Sequence, residues 1–172
     1  MYTKQPKQQL KIVDNFLESP GLWKEYALKQ EYFTDASGYP GKKTKALDEI
    51  HTGLFHSLAA KIIGHVNGKQ GFSRLKIQFA YTSNSNFTSN IHQDEPFYNV
   101  AGIIYLNENA PNNTGTKFYN LIDGLFVENI NIENHYNRMI IFDPSKWHAP
   151  SGTFGDELSN GRITITFFGI AI

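Results

Sequence analysis

The chain contains no cysteine. Disulfides, thiolate metal sites and cysteine nucleophiles are excluded, and any metal ligands must come from histidine, aspartate and glutamate. Charge of one sign is also missing: 16 Lys and Arg balance 16 Asp and Glu. No overall field therefore draws the chain to nucleic acid or to an anionic membrane. No apolar run approaches the roughly 18 residues of a membrane span. The N-terminal MYTKQPKQQ lacks the apolar stretch of a signal peptide. A soluble, cytoplasmic protein without membrane partners is the expectation, with nucleic acid disfavoured. There is no HExxH motif, no internal repeat and no linker.

What is present suits a β-rich protein. The 172 residues fit one domain with its own core. Aromatics reach 14%, and Asn and Gly are plentiful, a mix better matched to strands and turns than to a helical bundle. Residues 1–9 read as a polar leader and 10–70 as a helical support region. In that region LKIVDNFL (10–17) suggests a short strand. SPGLWKEYALKQ offers Ser19 as N-cap and Pro20 at the first helical position. From Ala46 to Val66, apolar residues recur at steps of three and four and predict one continuous helix. Residues 34–46, TDASGYPGKKTKA, are rich in helix and strand breakers and read as a loop.

Residues 72–172 change texture. SRLKIQFAYT, FYNVAGIIYLNE, TKFYN, LFVENI, NRMIIFDP and GRITITFFGIAI are short β-rich runs separated by Asn, Gly, Pro and Ser clusters. That spacing predicts an all-β barrel or double-sheet core with the helices ahead of it.

Three elements carry chemistry. His92 and Asp94 in SNIHQDEPFYNV are two residues apart, which places both on one side of a strand. Alone they could be polar decoration. His148 in FDPSKWHAPSG adds a second imidazole, and two imidazoles with one carboxylate are the ligand set of the facial triad that holds non-haem iron. In GRITITFFG, Arg162, Thr164 and Thr166 share one face of a strand. A guanidinium heading an apolar strand needs a partner, because burying it unpaired is expensive. A bound carboxylate would satisfy its planar fork; an ion pair with Asp156 or Glu157 is the alternative.

This order, His-x-Asp, a distal His, then Arg-x-Thr, resembles the 2-oxoglutarate/Fe(II)-dependent oxygenases. Residues 74–170 resemble the prolyl 4-hydroxylase-like branch. AGIIYLNE (101–108) is similar to that branch's YLN strand. TGTKFYN (114–120) is similar to its Gly-Gly-x-Thr/Leu-x-Phe/Tyr segment, with Thr114 in place of the first glycine. NRMIIFDPSKWHAP is similar to the turn and strand that deliver the distal histidine. KIVDNFLESPGLWKEYAL and GYPGKKT further resemble small, poorly characterised members, several of them phage-encoded, for which the location would be the host cytoplasm.

The resemblance implies a mainly β fold with a double-stranded β-helix (jelly-roll, cupin-like) core, an Fe(II) ion, and 2-oxoglutarate and dioxygen as co-substrates. His92, Asp94 and His148 would be the iron ligands. Arg162 would pair with the distal carboxylate of 2-oxoglutarate, with Thr164 as the neighbouring hydroxyl. Tyr105 and Tyr81 would be phenols that contact the co-substrate; each could equally be a core tyrosine. The reaction implied is hydroxylation of a C–H bond with release of succinate and CO2, on peptidyl proline, another protein side chain or a small molecule. A non-catalytic jelly-roll binding module and a cupin-type metalloenzyme that does not use 2-oxoglutarate are the competing readings.

The other histidines read as structural. His51, His56 and His65 fall on the expected helix without sharing a face, and His135 lies in a turn. The loop around GYPGKKTK is expected to be solvated, with a lid over the iron site as the alternative.

Overall fold

A computed structural model describes residues 8–35 and 38–172. The expected leader falls outside these residues apart from Gln8 and Gln9, and Gln8 is buried rather than frayed. The elements run β1 (Lys11–Val13), α1 (Pro20–Leu28), β2 (Phe33–Thr34), β3 (Lys42–Lys43), α2 (Leu47–Ile50), α3 (Thr52–Ile63) and β4 (Phe72–Thr82). There follow β5 (Val100–Tyr105), β6 (Thr116–Ile122), β7 (Leu125–Ile132), β8 (Met139–Phe142), β9 (Trp147–Pro150) and β10 (Arg162–Ala171).

The protein is mainly β, as expected. A seven-stranded antiparallel sheet has the order β1-β8-β5-β10-β4-β3-β2 and faces a three-stranded sheet, β7-β6-β9. The strict alternation of β10 explains the layering. Ile163, Ile165 and Phe167 point to one side, where Ile77, Phe79, Ile104 and Ile141 join them under the helices. Burying each such side chain contributes roughly 1.5–3 kcal/mol. Arg162, Thr164, Thr166 and Phe168 point to the other side, toward the smaller sheet. There Tyr105, Phe118, Ile132, Ile140 and Phe142 close a second core between the sheets.

Helix α1 begins where Ser19 and Pro20 predicted, although the Ser19 side chain makes no capping bond. The expected helix 46–66 is two helices. His51 adopts an extended backbone (φ −160°, ψ 89°), and its Nδ1 accepts the Leu54 N–H at 3.1 Å as the N-cap of α3. The apolar stripe keeps its phase through the break, so periodicity alone could not reveal it. The expected loop 34–46 contains β3, whose residues pair with β4: Lys42 with Tyr81 and Lys43 with Ala80. Gly41 permits that approach, because a Cβ there would strike the Tyr81 carbonyl and the Thr82 methyl. The β6–β7 hairpin turns at Asp123–Gly124, both at positive φ, and exposes Leu121, Ile122, Leu125 and Phe126. Among the described residues, no helix is long and apolar enough to cross a membrane.

Candidate metal centre and its cavity

His92 and Asp94 lie on the segment that follows β4, and backbone bonds pin it to the turn around β9. His92 N–H donates to His148 O at 3.0 Å and His148 N–H returns a bond to His92 O at 2.9 Å. Asp94 N–H donates to Pro144 O, and the Gln93 amide turns away to reach Ser145 O. The i, i+2 spacing therefore puts His92 and Asp94 on one side. His148 sits opposite, on β9.

The three side chains converge. His92 Nε2 lies 3.7 Å from Asp94 Oδ1, and His148 Nε2 lies 3.5 Å from Asp94 Oδ2. One ligand atom from each residue falls within 4.8 Å of the other two. Both imidazoles use Nδ1 against a backbone carbonyl: His92 on Asn90 O at 2.9 Å, His148 on Lys146 O at 2.8 Å. A carbonyl only accepts, so Nδ1 carries the proton and each Nε2 lone pair is left facing Asp94. This is how metal-binding imidazoles are oriented by their outer partners.

The electrostatics are those of a site built around a cation. Asp94 Oδ2 is buried without a hydrogen-bond partner. Burial pushes the Asp94 carboxyl up to about 7 against the pull of Lys43. Burial, reinforced by His92, pushes His148 down to about 4, so it is a neutral donor at physiological pH. Two imidazole Nε2 atoms and an orphaned carboxyl oxygen, gathered at one point, fit a divalent metal.

The triad opens into a cavity of ≈ 540 Å³, a volume ordinary for a small-ligand site. Arg162 and Thr164 line it, on the same side of β10. Arg162 is buried, and neither Asp156 nor Glu157 pairs with it. Its Nε donates to Thr114 O at 2.6 Å and its Nη2 to Gly115 O at 3.1 Å. Those bonds use one edge of the fork and leave the Nη1–Nη2 edge for a ligand.

The two tyrosines land elsewhere. Tyr105 is fully buried beneath Arg162, 5.6 Å from ring centre to guanidinium, and its hydroxyl is hydrogen-bonded to Thr116 Oγ1 at 2.7 Å. Tyr105 supports the cavity wall, and Thr116 lines it. Tyr81 takes the core alternative. It pairs with Ile163, so the pleat directs it away from Arg162 into the apolar core, edge-on to Tyr32.

Two other tyrosines, Tyr39 and Tyr98, line the cavity, and the Tyr39 phenol lies within the field of Arg162. With Lys43 it overturns the solvated reading of loop 34–46. Lys43, opposite Ala80 on the cavity face, has a side chain only 12% exposed and lies 3.1 Å from Asp35. Its ammonium stands 4.4 Å over the Tyr39 ring, and burial lowers its pKa despite Asp35. Alternation along β4 puts Gln78 on the same side as Ala80, and Gln78 also lines the cavity. His51 is a helix cap; His65 packs edge-on against Phe16.

A family model described as a family of unknown function (DUF6445) matches residues 1–126. The chain belongs to this family. The matched span includes His92 and Asp94 and ends before His148 and Arg162. No curated protein matches the chain. Among solved structures, a prolyl hydroxylase from Trichoplax adhaerens, in complex with a hypoxia-inducible-factor oxygen-degradation-domain peptide, superposes with a TM-score of 0.64. It is 16% identical, over 94% of this chain and 83% of that one. A Pseudomonas putida prolyl-4-hydroxylase gives a TM-score of 0.59 at 14% identity, covering 95% and 92%. The non-haem α-ketoglutarate-dependent epimerase SnoN from nogalamycin biosynthesis gives 0.59 at 14% identity, covering 94% and 78%. The fold of this chain is thus the double-stranded β-helix of the prolyl hydroxylases.

Proposed function

We propose that this protein is an Fe(II)- and 2-oxoglutarate-dependent oxygenase that hydroxylates a C–H bond of a small molecule or protein side chain. The observation that carries the reading is the convergence of His92, Asp94 and His148, with Asp94 Oδ2 buried and unpartnered, in one cavity with Arg162. The shared fold with two prolyl hydroxylases and an α-ketoglutarate-dependent epimerase supports it.

His92 Nε2, Asp94 and His148 Nε2 would hold the iron. The bound metal supplies the activation of dioxygen, coupled to oxidative decarboxylation of 2-oxoglutarate to succinate and CO2. The protein's own share is orientation. The Asn90 and Lys146 carbonyls fix both imidazole tautomers. The Nη1–Nη2 edge of Arg162 takes the distal carboxylate of 2-oxoglutarate, with the Thr164 hydroxyl beside it. Phe142 and Phe118 pack against the His148 ring and keep water from its inner side.

The test is anaerobic loading with Fe(II), addition of 2-oxoglutarate, and measurement of the visible charge-transfer band, then of succinate after admitting oxygen. A band and iron-dependent succinate are expected. Metal binding without any effect of 2-oxoglutarate would favour a cupin-type metalloenzyme. Binding of neither would leave a non-catalytic jelly-roll module.

A further inference from the structure

The cavity holds a second charged station to which the oxygenase reading assigns no ligand. Lys43 and Asp35 both line it, paired at 3.1 Å with side chains 12% and 22% exposed. Cross-strand register, not chance, puts the ammonium there: Lys43 sits opposite Ala80, whose small side chain leaves the cavity face of β4 open. Lys43 is in addition 4.4 Å from the Tyr39 ring centre and 5.7 Å from that of Phe168. Tyr98 continues this aromatic surface, 5.8 Å from Phe168, and Phe97 packs at a tilt against Tyr98, 4.3 Å between ring centroids.

An ion pair withdrawn from bulk water gains little net stability, because desolvation offsets the attraction. The β2–β3 hairpin does not need it for its register, which the backbone ladder already sets. A cation and an anion side by side, with an aromatic shelf beyond them, complement a ligand that carries the opposite charges in the same arrangement. Arg162, bonded to the Thr114 and Gly115 carbonyls on one edge, is a separate station for a separate carboxylate.

We propose that Lys43 and Asp35 bind the head group of a free α-amino acid, the carboxylate on Lys43 and the ammonium on Asp35, and that this amino acid is the substrate to be oxidised. The proposal names the substrate of the oxygenase reading and rests on it for the oxidation, whereas the head-group site stands without metal. An apolar or aromatic side chain on that amino acid would lie along Phe168 and Tyr98.

The experiment uses the full chain in two arms. In the first, metal-free protein is titrated with free L-leucine, L-phenylalanine and L-proline and with their N-acetyl and methyl-ester forms, read by calorimetry and by thermal shift. At least one free amino acid should bind, and both blocked forms should bind tenfold or more weakly. Lys43→Met should lose that binding, Lys43→Arg should retain most of it, and Asp35→Asn should lose discrimination against the N-acetyl form. In the second arm, Mn(II)-loaded parent protein is titrated with 2-oxoglutarate, and binding is expected. The proposal is overturned if no free amino acid binds, if the blocked forms bind equally well, or if a folded Lys43→Met binds like the parent. Absence of 2-oxoglutarate binding in the second arm sinks the oxygenase reading alone; the first arm still decides the head-group site.

Discussion

His92 and His148 exchange both of their backbone hydrogen bonds, at 3.0 and 2.9 Å, and form an isolated antiparallel bridge with ring centroids 4.5 Å apart. The bridge sets the separation of the two imidazoles through the backbone, whether or not a metal is present. Pre-organisation of this kind lets binding free energy appear as stability. At metal concentrations about one hundred times Kd, that linkage is worth about 2.7 kcal/mol. For a chain of this size, Mn(II) or Fe(II) should raise Tm by roughly 5–10 °C. His92→Ala and His148→Ala should abolish the shift, and circular dichroism should show that both remain folded. A metal-induced shift of parental size in either variant would remove that histidine from the ligand set.

Asp94 argues for a trade between stability and function. Its carboxylate is buried, one oxygen lacks a hydrogen-bond partner, and burial holds its pKa near 7. Such a group costs the metal-free fold free energy that an uncharged amide costs less. Metal-free Asp94→Asn should therefore melt at or above the parent, by up to a few degrees. It should bind Mn(II) at least about one hundred times more weakly, since an outer partner alone is worth 10–100-fold. Thermal melts with and without metal check both parts. A clear loss of metal-free stability would mean that Asp94 is held by contacts of its own.

How much of this was legible beforehand differs by element. The long strands β4, β5 and β10 declare themselves, because a two-residue alternation with β-branched residues has no competing periodicity. The His-x-Asp pair, the distal His148 and Arg162 are recognisable as residue types in order. Strand β9 was hidden, since WHAP is four residues ending in proline and is a strand only because β6 pairs with it. For Tyr81 the core alternative is the one the fold takes, and QFAYT carries the alternation behind it: with Gln78 and Ala80 on one face, Phe79 and Tyr81 take the other. What the sequence withheld was which face meets Arg162, a matter of register between β4 and β10. The lid alternative pointed to the right loop, but that Tyr39 and Lys43 are the side chains that enter follows only from the pairing of β3 with β4.

Arg162 has two employments, and they can be separated. It caps the Thr114 and Gly115 carbonyls and also faces the cavity. Arg162→Ala should lose 2-oxoglutarate binding by calorimetry while retaining Mn(II). It should also lower stability by about 1–3 kcal/mol, because two inward carbonyls lose a charged donor. If 2-oxoglutarate binds normally to a folded Arg162→Ala, the distal carboxylate is held elsewhere.

Where β1 gives way to α1, one side-chain amide adds to the β1–β8 ladder in holding the N-terminal region. Asn137, at φ 61°, accepts the Leu17 N–H on Oδ1 and donates Nδ2 to Leu17 O, both at 2.8 Å and buried. Asn is the residue that tolerates this left-handed backbone while offering a donor and an acceptor together. Asn137→Ala should cost about 2–4 kcal/mol by loss of both bonds and added backbone strain. Chemical denaturation measures it. Metal affinity of the folded fraction should not change, because Asn137 lies outside the cavity wall.

Asn107 makes the last prediction, and it concerns positioning. This asparagine of the YLN stretch donates Nδ2 to Gly161 O at 2.9 Å and accepts the Ile163 N–H on Oδ1 at 2.7 Å. It therefore grips the peptide units on either side of Arg162 and stands in for a neighbouring strand where β10 begins. The clamp fixes the backbone from which the side chain springs, and the Thr114 and Gly115 carbonyls hold the guanidinium itself, so its aim into the cavity depends on both. Asn107→Ala should weaken 2-oxoglutarate binding by roughly tenfold, about 1.4 kcal/mol, with Mn(II) affinity unchanged. Asn107→Asp keeps the acceptor but faces the Gly161 carbonyl with an oxygen, and should recover little. A merely structural role would lower Tm and leave the 2-oxoglutarate affinity of the folded protein where it was, so calorimetry well below Tm decides between the two.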